Sequence, residues 1–347
     1  MEHRRIYSLD CLKLVLAYVI AFFHCGLEVS PGPTVTVQVF FMISGFFLGK
    51  HFHAHSRNGD TDYRAWNYTL DHIRGIYPHY FFSGAVFFLY LLARDLVTLV
   101  FSPSWEMVRT ILRSFYNQIP DILLLQSSHF FHDSINYPLW QLSALLIAGY
   151  FLYGMLLHSQ RLSLELLFPA AILLIQSLLW SGVDLWENWG PLYIPLLRAF
   201  SPMCIGVLTY FFSQSDTYAA LRRHRTALSL AGLGSLLTLF CYGSYRNIFL
   251  MTTPVLILSC MEPESLINRL IGRPVFRFAG KLSLAVYLNH SFVIRILCAL
   301  LIPRMEARGL RVSDPLKGLL LFVLLTVYSL FTLRLVDKLT RKNAAIR

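Results

Sequence analysis

The first apolar segment of the chain contains three ionisable side chains, Asp10, Lys13 and His24. Such groups are costly inside a membrane or a core and by default mark a functional site. Lys13 and His24 are eleven residues apart, about three helical turns. On a helix both side chains therefore point from nearly the same face, roughly 16 Å apart along the axis. They cannot touch, but they can line one passage.

The chemistry of this face follows from its residue types. An imidazole is the usual proton acceptor for activating a hydroxyl near neutral pH, so we predict His24 as a catalytic residue. A cation such as Lys13 suits a phosphorylated cofactor, and Asp10 completes the catalytic set by orienting Lys13 or other groups at the same end. Two structural alternatives stay open: a histidine hydrogen-bonded to a neighbouring helix, and a lysine that reaches the lipid headgroups.

Two further patterns predict cofactor-binding residues. Ser44 and Gly45 form a small surface that lets a helix, or a narrow ligand arm, approach closely. His72, Arg74 and Tyr77 lie at a helix start marked by a proline, where charge and free backbone N–H groups could clamp phosphates. Helix packing is the alternative for the first pattern, and a basic anchor at the membrane surface is the alternative for the second.

Four polar or aromatic residues are candidates for substrate binding. Arg198, Asn289 and His290 fall inside apolar segments, where they must face the interior of a helical bundle or a water-filled cavity. Trp140 could stack on a sugar ring at an outward opening. Interhelical hydrogen bonds and interfacial aromatic anchoring are the competing explanations.

The composition identifies the class of protein that must position these residues. Of 347 residues, 56% are hydrophobic and 14% are charged, whereas soluble proteins are about one-quarter charged. The apolar residues form blocks of roughly 16 to 25, which favour a transmembrane helical bundle over an outer-membrane barrel. We therefore predict an all-α, polytopic bundle in which residues 1–347 form a single integral-membrane domain.

The apolar blocks predict about ten membrane spans. If both termini are cytoplasmic, the basic residues between the spans divide about three to one in favour of the cytoplasmic side, as the positive-inside rule requires. The formal charge of +11 is thus explained by topology and by contacts with anionic lipids, and we expect no nucleic-acid partner. The predicted spans are residues 9–28, 34–50, 77–101, 137–157, 164–181, 192–212, 226–242, 247–261, 279–302 and 316–335.

Two histidine patterns are weaker signals. His129 to Asp133 superficially matches a His-x3-Asp motif of some soluble acyltransferases, but nothing around it supplies that fold, although His132 and Asp133 could contact a glycan. The alternating residues His51, His53 and His55 point in different directions on a helix, so we expect a solvated stretch and no metal site.

Several motifs in order along the chain resemble the acyltransferase type 3 family, polytopic membrane O-acyltransferases of about ten spans. Each motif alone is weak, but their order and spacing are fairly specific, and the similarity covers the first to the ninth span. The motifs are Leu9-Asp10, Lys13 and His24 with ten residues between them, residues 40–46 (FFMISGF), residues 74–78 (RGIYP), residues 137–140 (YPLW) and residues 283–290 (SLAVYLNH).

The resemblance implies transfer of an acyl group, usually acetyl, from cytosolic acyl-CoA to a hydroxyl of an extracytoplasmic glycan or lipid-linked saccharide. The family's first-span histidine corresponds to His24, its usual arginine to Lys13, and its Ser-Gly pair to Ser44 and Gly45. Lysine in place of arginine loses the planar fork that binds phosphate bidentately. No soluble esterase-like domain follows the bundle, so the short form of the family is the relevant comparison.

The implied cofactor is acetyl-CoA as acyl donor, with no metal, and the expected location is the bacterial cytoplasmic membrane. Membrane lipids are the other expected partners, and nothing in the sequence indicates an oligomer. A transporter or flippase for a glycan, a lipid-linked intermediate or a small molecule is the rival hypothesis, because intramembrane ions also line transport paths. Dependence on acetyl-CoA discriminates the two.

Overall fold

The computed structural model describes residues 5–57, 62–128, 135–181, 188–189, 192–242 and 247–344. Within this part of the chain the structure is almost entirely helical. Strand residues Asn188–Trp189 pair antiparallel with Leu192–Tyr193. The helices are α1 Tyr7–His24, α2 Pro33–Arg57, α3 Ala65–Phe101, α4 Trp105–Leu123, α5 Trp140–His158, α6 Gln160–Leu162, α7 Phe168–Trp180, α8 Ile194–Phe212, α9 Asp216–Leu221, α10 Arg225–Tyr242, α11 Phe249–Met261, α12 Leu266–Ile271, α13 Ala279–Ile296, α14 Ile302–Glu306 and α15 Asp314–Ala344, with 3₁₀ turns at Tyr137–Leu139 and Pro274–Phe278 and π turns at Ser163–Leu167 and Leu297–Leu301.

Most of the predicted spans are present as long apolar helices, so the chain is an all-α, multi-pass membrane bundle. Among the described residues, nine helical segments are long and apolar enough to cross a bilayer. The predicted eighth span is the exception, because α11 has 13 residues and is about 20 Å long, against a hydrocarbon core of about 30 Å. Both termini share one side of the membrane only if α11 crosses it together with the other nine.

The helix that contains the third predicted span begins earlier than the span itself. The apolar window begins at Tyr77, whereas α3 begins at Ala65 and continues through Pro78. His72, Arg74 and Tyr77 therefore lie inside a continuous helix, where backbone N–H groups are already bonded to carbonyl oxygens one turn earlier. A phosphate clamp built from free N–H groups at this point is excluded.

The segment that follows α3 folds back along it. Ser104 caps α4 by accepting a hydrogen bond from the N–H of Met107, and α4 then runs antiparallel to α3. The rings of Phe88 and Phe115 lie 5.1 Å apart, and the Tyr80 hydroxyl donates to the carbonyl of Asp121 at 2.6 Å. The segment between the third and fourth predicted spans thus contains a helix that packs along α3.

Helices α2 and α8 cross in close backbone contact. A Cβ on Gly45 would lie 2.1 Å from the carbonyl oxygen of Met203, and one on Gly206 would lie 2.0 Å from that of Met42. Small residues at such crossings let two backbones meet without an intervening side chain. Helices α1 and α5 pack against α2, and α13 packs along α1.

Candidate functional site

The two histidines that sequence reasoning selected from different spans meet in the structure. His24 is the last residue of α1 and is exposed, and His290 lies in the middle of α13 and is fully buried. Their rings are stacked with centroids 5.3 Å apart. The packing of α1 along α13 brings them together, so one imidazole is accessible to a substrate and the other lies behind it.

The hydrogen bonding of His290 fixes its tautomer. Its Nδ1 lies 2.5 Å from the backbone carbonyl oxygen of Tyr287. A carbonyl oxygen only accepts, so Nδ1 carries the hydrogen and Nε2 of the neutral ring has a free lone pair. This Nε2 is buried and has no hydrogen-bond partner within the described residues. His290 therefore offers an acceptor for a hydrogen from a ligand.

Two other predicted substrate-binding residues contact each other near this pair. The Arg198 guanidinium, on α8, lies 5.3 Å from the ring centroid of Trp140, the first residue of α5. Arg198 is 1% exposed and Trp140 is 5% exposed. The segment before Trp140 reaches α13, because the Tyr287 hydroxyl donates to the carbonyl of Pro138. Trp140 and Arg198 thus belong to the same end of the bundle as His290.

Asn289, the residue before His290, contacts α15. Its Nδ2 donates to Thr332 Oγ1 of α15 at 2.8 Å. Adjacent residues on a helix point about 100° apart, so Asn289 is directed at α15 while His290 is directed at α1. This contact agrees with the alternative of interhelical hydrogen bonding, and the substrate-binding role of Asn289 stays a prediction.

The opposite end of the α1 face carries an ion cluster, which consists of Arg5, Asp10 and Lys13. The Asp10 carboxylate is buried and binds Arg5 Nε at 2.6 Å and Lys13 Nζ at 2.9 Å. Gly280 of α13 covers this carboxylate, because a Cβ at that position would lie 2.5 Å from Asp10 Oδ1. Asp10 therefore holds two cations at the start of α1.

The ion cluster is distant from the histidine pair. Asp10 and His24 are fourteen residues apart in α1, which corresponds to about 21 Å along the helix axis. Asp10 cannot take part directly in chemistry at His24, so its place in the catalytic set is not supported by the geometry. Its contact with Lys13 is the one that a positioning residue would make.

The small residues Ser44 and Gly45 lie on two different faces of α2. Ser44 is partly exposed, and Gly45 is packed against α8. Lys13 Nζ lies 5.4 Å from the ring centroid of Phe47, one turn from Ser44 on the same face of α2. The Ser44 hydroxyl donates to the carbonyl of Phe40 at 2.8 Å. Gly45 is occupied by the backbone of Met203, which leaves no room for a ligand arm and agrees with the packing alternative.

The three predicted cofactor residues of α3 do not form one site. His72 Nδ1 donates to the carbonyl of Tyr68 at 3.1 Å. Arg74 is exposed and pairs with Asp71 at 3.2 Å. The Tyr77 hydroxyl donates to the carbonyl of Ile122 at 3.2 Å. These side chains have three different surroundings, and their binding of a cofactor stays a prediction.

The alternating histidines of α2 are not a solvated stretch. His51 and His55 stack with centroids 4.2 Å apart, and His55 stacks on Tyr63 at the same separation. His53 Nδ1 lies 2.9 Å from the Tyr210 hydroxyl. All three histidines are partly buried because α3, α5 and α8 pack around this end of α2. No metal-binding group of three His, Cys, Asp or Glu occurs in the described chain.

Sequence reasoning missed a set of buried amides near the start of α5. Gln118, Gln126, Asn136 and Gln141 each have a buried amide oxygen without a hydrogen-bond partner in the described part of the chain. The only sequence signal is the number of carboxamides in an otherwise apolar stretch. The proximity of Gln118, Gln126 and Asn136 depends on α4 folding back along α3. His129 to Asp133 lie outside the described residues.

A comparison with protein families decides the assignment. A family described as an acyltransferase domain matches residues 6–334. The chain belongs to the acyltransferase type 3 family. This acyltransferase is thus a membrane-bound enzyme that transfers acyl groups, and the match covers Asp10 and Lys13 of the ion cluster, the histidine pair and the buried amides. Searches of the curated proteins and of the solved structures returned no significant match.

Proposed function

We propose that this acyltransferase moves an acetyl group from cytosolic acyl-CoA to a hydroxyl of an extracytoplasmic glycan or lipid-linked saccharide. The observation that carries the proposal is the histidine pair. An exposed His24 is stacked on His290, whose Nε2 is a buried acceptor without a partner in the described residues. An accessible imidazole can accept the proton of an alcohol, and the buried Nε2 beside it can accept a hydrogen bond from a second donor group of the same ligand.

The donor side of the proposal lies at the ion cluster. The nucleotide end of acyl-CoA would bind at the cytoplasmic surface, and Lys13 would attract its phosphates while Asp10 holds the lysine in place. The acyl-bearing arm would then pass Ser44 toward His24. Lys13 and His24 lie on nearly the same face about 16 Å apart, so one extended arm can reach from one to the other.

The chemical step uses His24 as general base. His24 removes the proton of the acceptor hydroxyl as the oxygen attacks the thioester carbonyl. The C–S bond then breaks, and the proton leaves with the CoA thiol. Holding the hydroxyl and the thioester in the reacting geometry lowers the entropic part of the barrier. Proton removal by the neighbouring base lowers the barrier further. A covalent route, with Ser44 or His24 carrying the acyl group, remains the alternative.

Binding of acetyl-CoA to the purified protein in lipid nanodiscs tests the donor assignment. We expect saturable binding by calorimetry that Lys13→Ala weakens at least fivefold. Asp10 keeps Arg5 as a partner in this variant, so the fold should be retained. Desulfo-CoA and a short pantetheine thioester serve as controls for the nucleotide and the arm.

The rival transporter hypothesis makes the opposite prediction. Absence of acetyl-CoA binding in folded protein would contradict the donor assignment and would favour transport, with His24 as a proton-relay residue. In the proposed function the enzyme acts in the bacterial cytoplasmic membrane, with membrane lipids around it and no nucleic-acid partner.

A further inference from the structure

Two cysteines from distant parts of the chain meet beside the histidine pair. Cys25 follows the last residue of α1, and Cys298 lies in the π turn that continues α13. Their sulfur atoms are 3.8 Å apart, although 273 positions separate them in the sequence. Both thiols are free in the described structure. We call these two residues the cysteine pair. The packing of α1 along α13, which stacks His24 on His290, also brings the two thiols together.

The sulfur atoms of the cysteine pair are close to bonding distance. A disulfide places its two sulfur atoms about 2.05 Å apart, so the present separation has to shorten by less than about 2 Å. Rotation of a cysteine side chain about its Cα–Cβ bond moves the sulfur atom and leaves the backbone in place. The backbone at Cys25 is already fixed, because its N–H donates to the carbonyls of Ala21 and Phe22. A bond between the two sulfur atoms is therefore compatible with the fold.

Charged residues surround the cysteine pair. Lys317 Nζ lies 3.7 Å from the position that a Cβ on Gly26 would occupy. Arg295 and Arg304 precede and follow Cys298 in the chain, and both are exposed. Charged side chains are costly in the hydrocarbon region of a bilayer. We therefore place this end of the bundle at the level of the lipid headgroups, where a water-soluble reagent can reach it.

The compartment at this end determines the redox state of the two thiols. Helix α1 crosses the bilayer between the ion cluster at its start and Cys25 at its end. In the orientation of the proposed function the ion cluster is cytoplasmic, so the cysteine pair is extracytoplasmic. Disulfides form and persist in oxidising extracytoplasmic compartments, whereas cytosolic thiols stay reduced. For its compartment the inference rests on the proposed function, but the contact between the sulfur atoms does not.

The two thiols differ in access. Cys298 is exposed, whereas Cys25 is 4% exposed. Disulfides form by attack of a thiolate on an external disulfide, through a mixed disulfide that a second thiol resolves. The exposed Cys298 is placed to meet the external reagent, and the buried Cys25 is placed to resolve the product.

From these observations we infer that Cys25 and Cys298 are oxidised to a disulfide that ties α1 to α13 beside the histidine pair. The oxidant is an external disulfide of the kind that thiol oxidoreductases carry. The thiolate of Cys298 attacks one sulfur atom of this disulfide, and the other sulfur atom leaves as a thiol. Cys25 then attacks the sulfur atom of Cys298, and the second oxidant sulfur leaves as a thiol. Two electrons pass from the cysteine pair to the oxidant, whose two sulfur atoms take up the two protons.

The disulfide would support the site without entering its chemistry. Cys25 is the residue after His24, so a bond from it to α13 limits how far His24 and His290 can separate. A cross-link also lowers the conformational entropy of the unfolded chain. We therefore expect the oxidised protein to unfold at a higher temperature than the reduced protein.

Counting thiols before and after reduction tests the disulfide. Cells that make the protein are quenched with acid to stop thiol exchange. Their membranes are dissolved in denaturant and alkylated with a maleimide-polyethylene glycol, with or without prior reduction. The gel shift of the protein reports the number of alkylated thiols. We expect two fewer alkylated thiols without reduction than with it. In Cys25→Ser and in Cys298→Ser the two counts should be equal.

Cys241→Ser is the matched control. Cys241 is exposed and lies at the same end of the bundle, because its neighbour Phe240 accepts a hydrogen bond from Ser30, which follows α1. Its removal should leave the difference of two thiols. Equal counts in the original protein would overturn the inference. A difference that persists in Cys25→Ser, or that disappears in Cys241→Ser, would also overturn it, because another pair would then be oxidised.

None of these counts depends on acetyl-CoA. Absence of the disulfide would therefore leave the proposed acyl transfer intact, and absence of acetyl-CoA binding would contradict the proposed function without changing the thiol count.

The thermal unfolding midpoint of the purified protein in nanodiscs tests the position of the bond. We expect reduction to lower the midpoint of the original protein and of Cys241→Ser by about 3 °C or more. Reduction should leave the midpoints of Cys25→Ser and Cys298→Ser unchanged. Equal midpoints of the oxidised and the reduced original protein would contradict a disulfide that ties α1 to α13.

Discussion

The two ends of the α1 face differ in how their polar groups are satisfied. At the start of the helix, the buried Asp10 carboxylate is bound on both oxygens by Arg5 and Lys13. At the far end, His290 Nε2 and the Asn136 amide are buried and bond to nothing in the described protein. Paired groups stabilise a fold, whereas unpaired buried groups weaken it and are candidates for pairing with a ligand. We therefore expect the ion cluster to position Lys13 and the histidine end to receive a substrate.

The largest effect should come from His24. We expect His24→Ala to lower acetyl transfer about 10²- to 10⁴-fold, the usual contribution of a general base. Stability should change little because the ring is exposed. Transfer of radiolabel from acetyl-CoA in membranes with matched protein amounts provides the measurement.

A second variant sharpens this test. His290→Ala removes the hydrogen-bond acceptor but keeps the base, so transfer should fall less than in His24→Ala. Wild-type transfer by His24→Ala would show that His24 is not the base.

Breaking the ion cluster should affect stability. Asp10→Asn leaves Arg5 and Lys13 close together without their shared anion, and loss of one partner from a buried ion pair costs about 3–5 kcal/mol. The side chains of Arg5 and Lys13 are 44% and 23% exposed, so solvent screening reduces our expectation to about 1–3 kcal/mol. Chemical unfolding in detergent measures the change.

Lys13→Met is the internal comparison for that experiment. Asp10 keeps Arg5 in this variant, so the loss of stability should be smaller than in Asp10→Asn. Equal stability of Asp10→Asn and the original protein would mean that the cluster does not support the fold.

The last comparison concerns two helical glycines that differ in the space around them. Gly45→Ala would place a Cβ 2.1 Å from the carbonyl oxygen of Met203, and overpacking of this kind costs about 1–3 kcal/mol. A Cβ on Gly234 of α10 would meet nothing within 4 Å, so Gly234→Ala should stabilise by about 0.5–1 kcal/mol. Thermal unfolding midpoints that move in opposite directions would support the close α2–α8 crossing, and midpoints that move together would contradict it.

The sequence predicts local features of this fold well. Hydropathy predicts residues 192–212 as a span, and α8 occupies Ile194–Phe212. It misplaces the start of α3, because the residues from Ala65 to Ile76 are helical but too polar for an apolar window. It also misses α4, whose large apolar side chains are mostly exposed and whose Asn117, Gln118 and Asp121 are partly or fully buried. A hydropathy average over such an amphipathic helix is low, so the window gives no signal.

The candidate site shows the same difference between features of one helix, which the sequence predicts, and contacts between helices, which it does not. The shared face of Lys13 and His24 can be predicted because both lie on one helix. The stacking of His24 on His290 and the cover of Gly280 over Asp10 join distant parts of the chain, and only tertiary packing reveals them. The amide of Asn136 is recognisable as unusual only when the surroundings of its two polar atoms are known.

One series of proteins tests the contrast between the two ends most directly: the original chain, Asp10→Asn and His24→Ala, each assayed in nanodiscs for thermal unfolding and in membranes for transfer from acetyl-CoA. We predict that Asp10→Asn unfolds at a lower temperature, whereas His24→Ala unfolds at about the temperature of the original chain and transfers about 10²- to 10⁴-fold less label. An unfolding temperature of His24→Ala as low as that of Asp10→Asn, or undiminished transfer by His24→Ala, would contradict the proposed contrast.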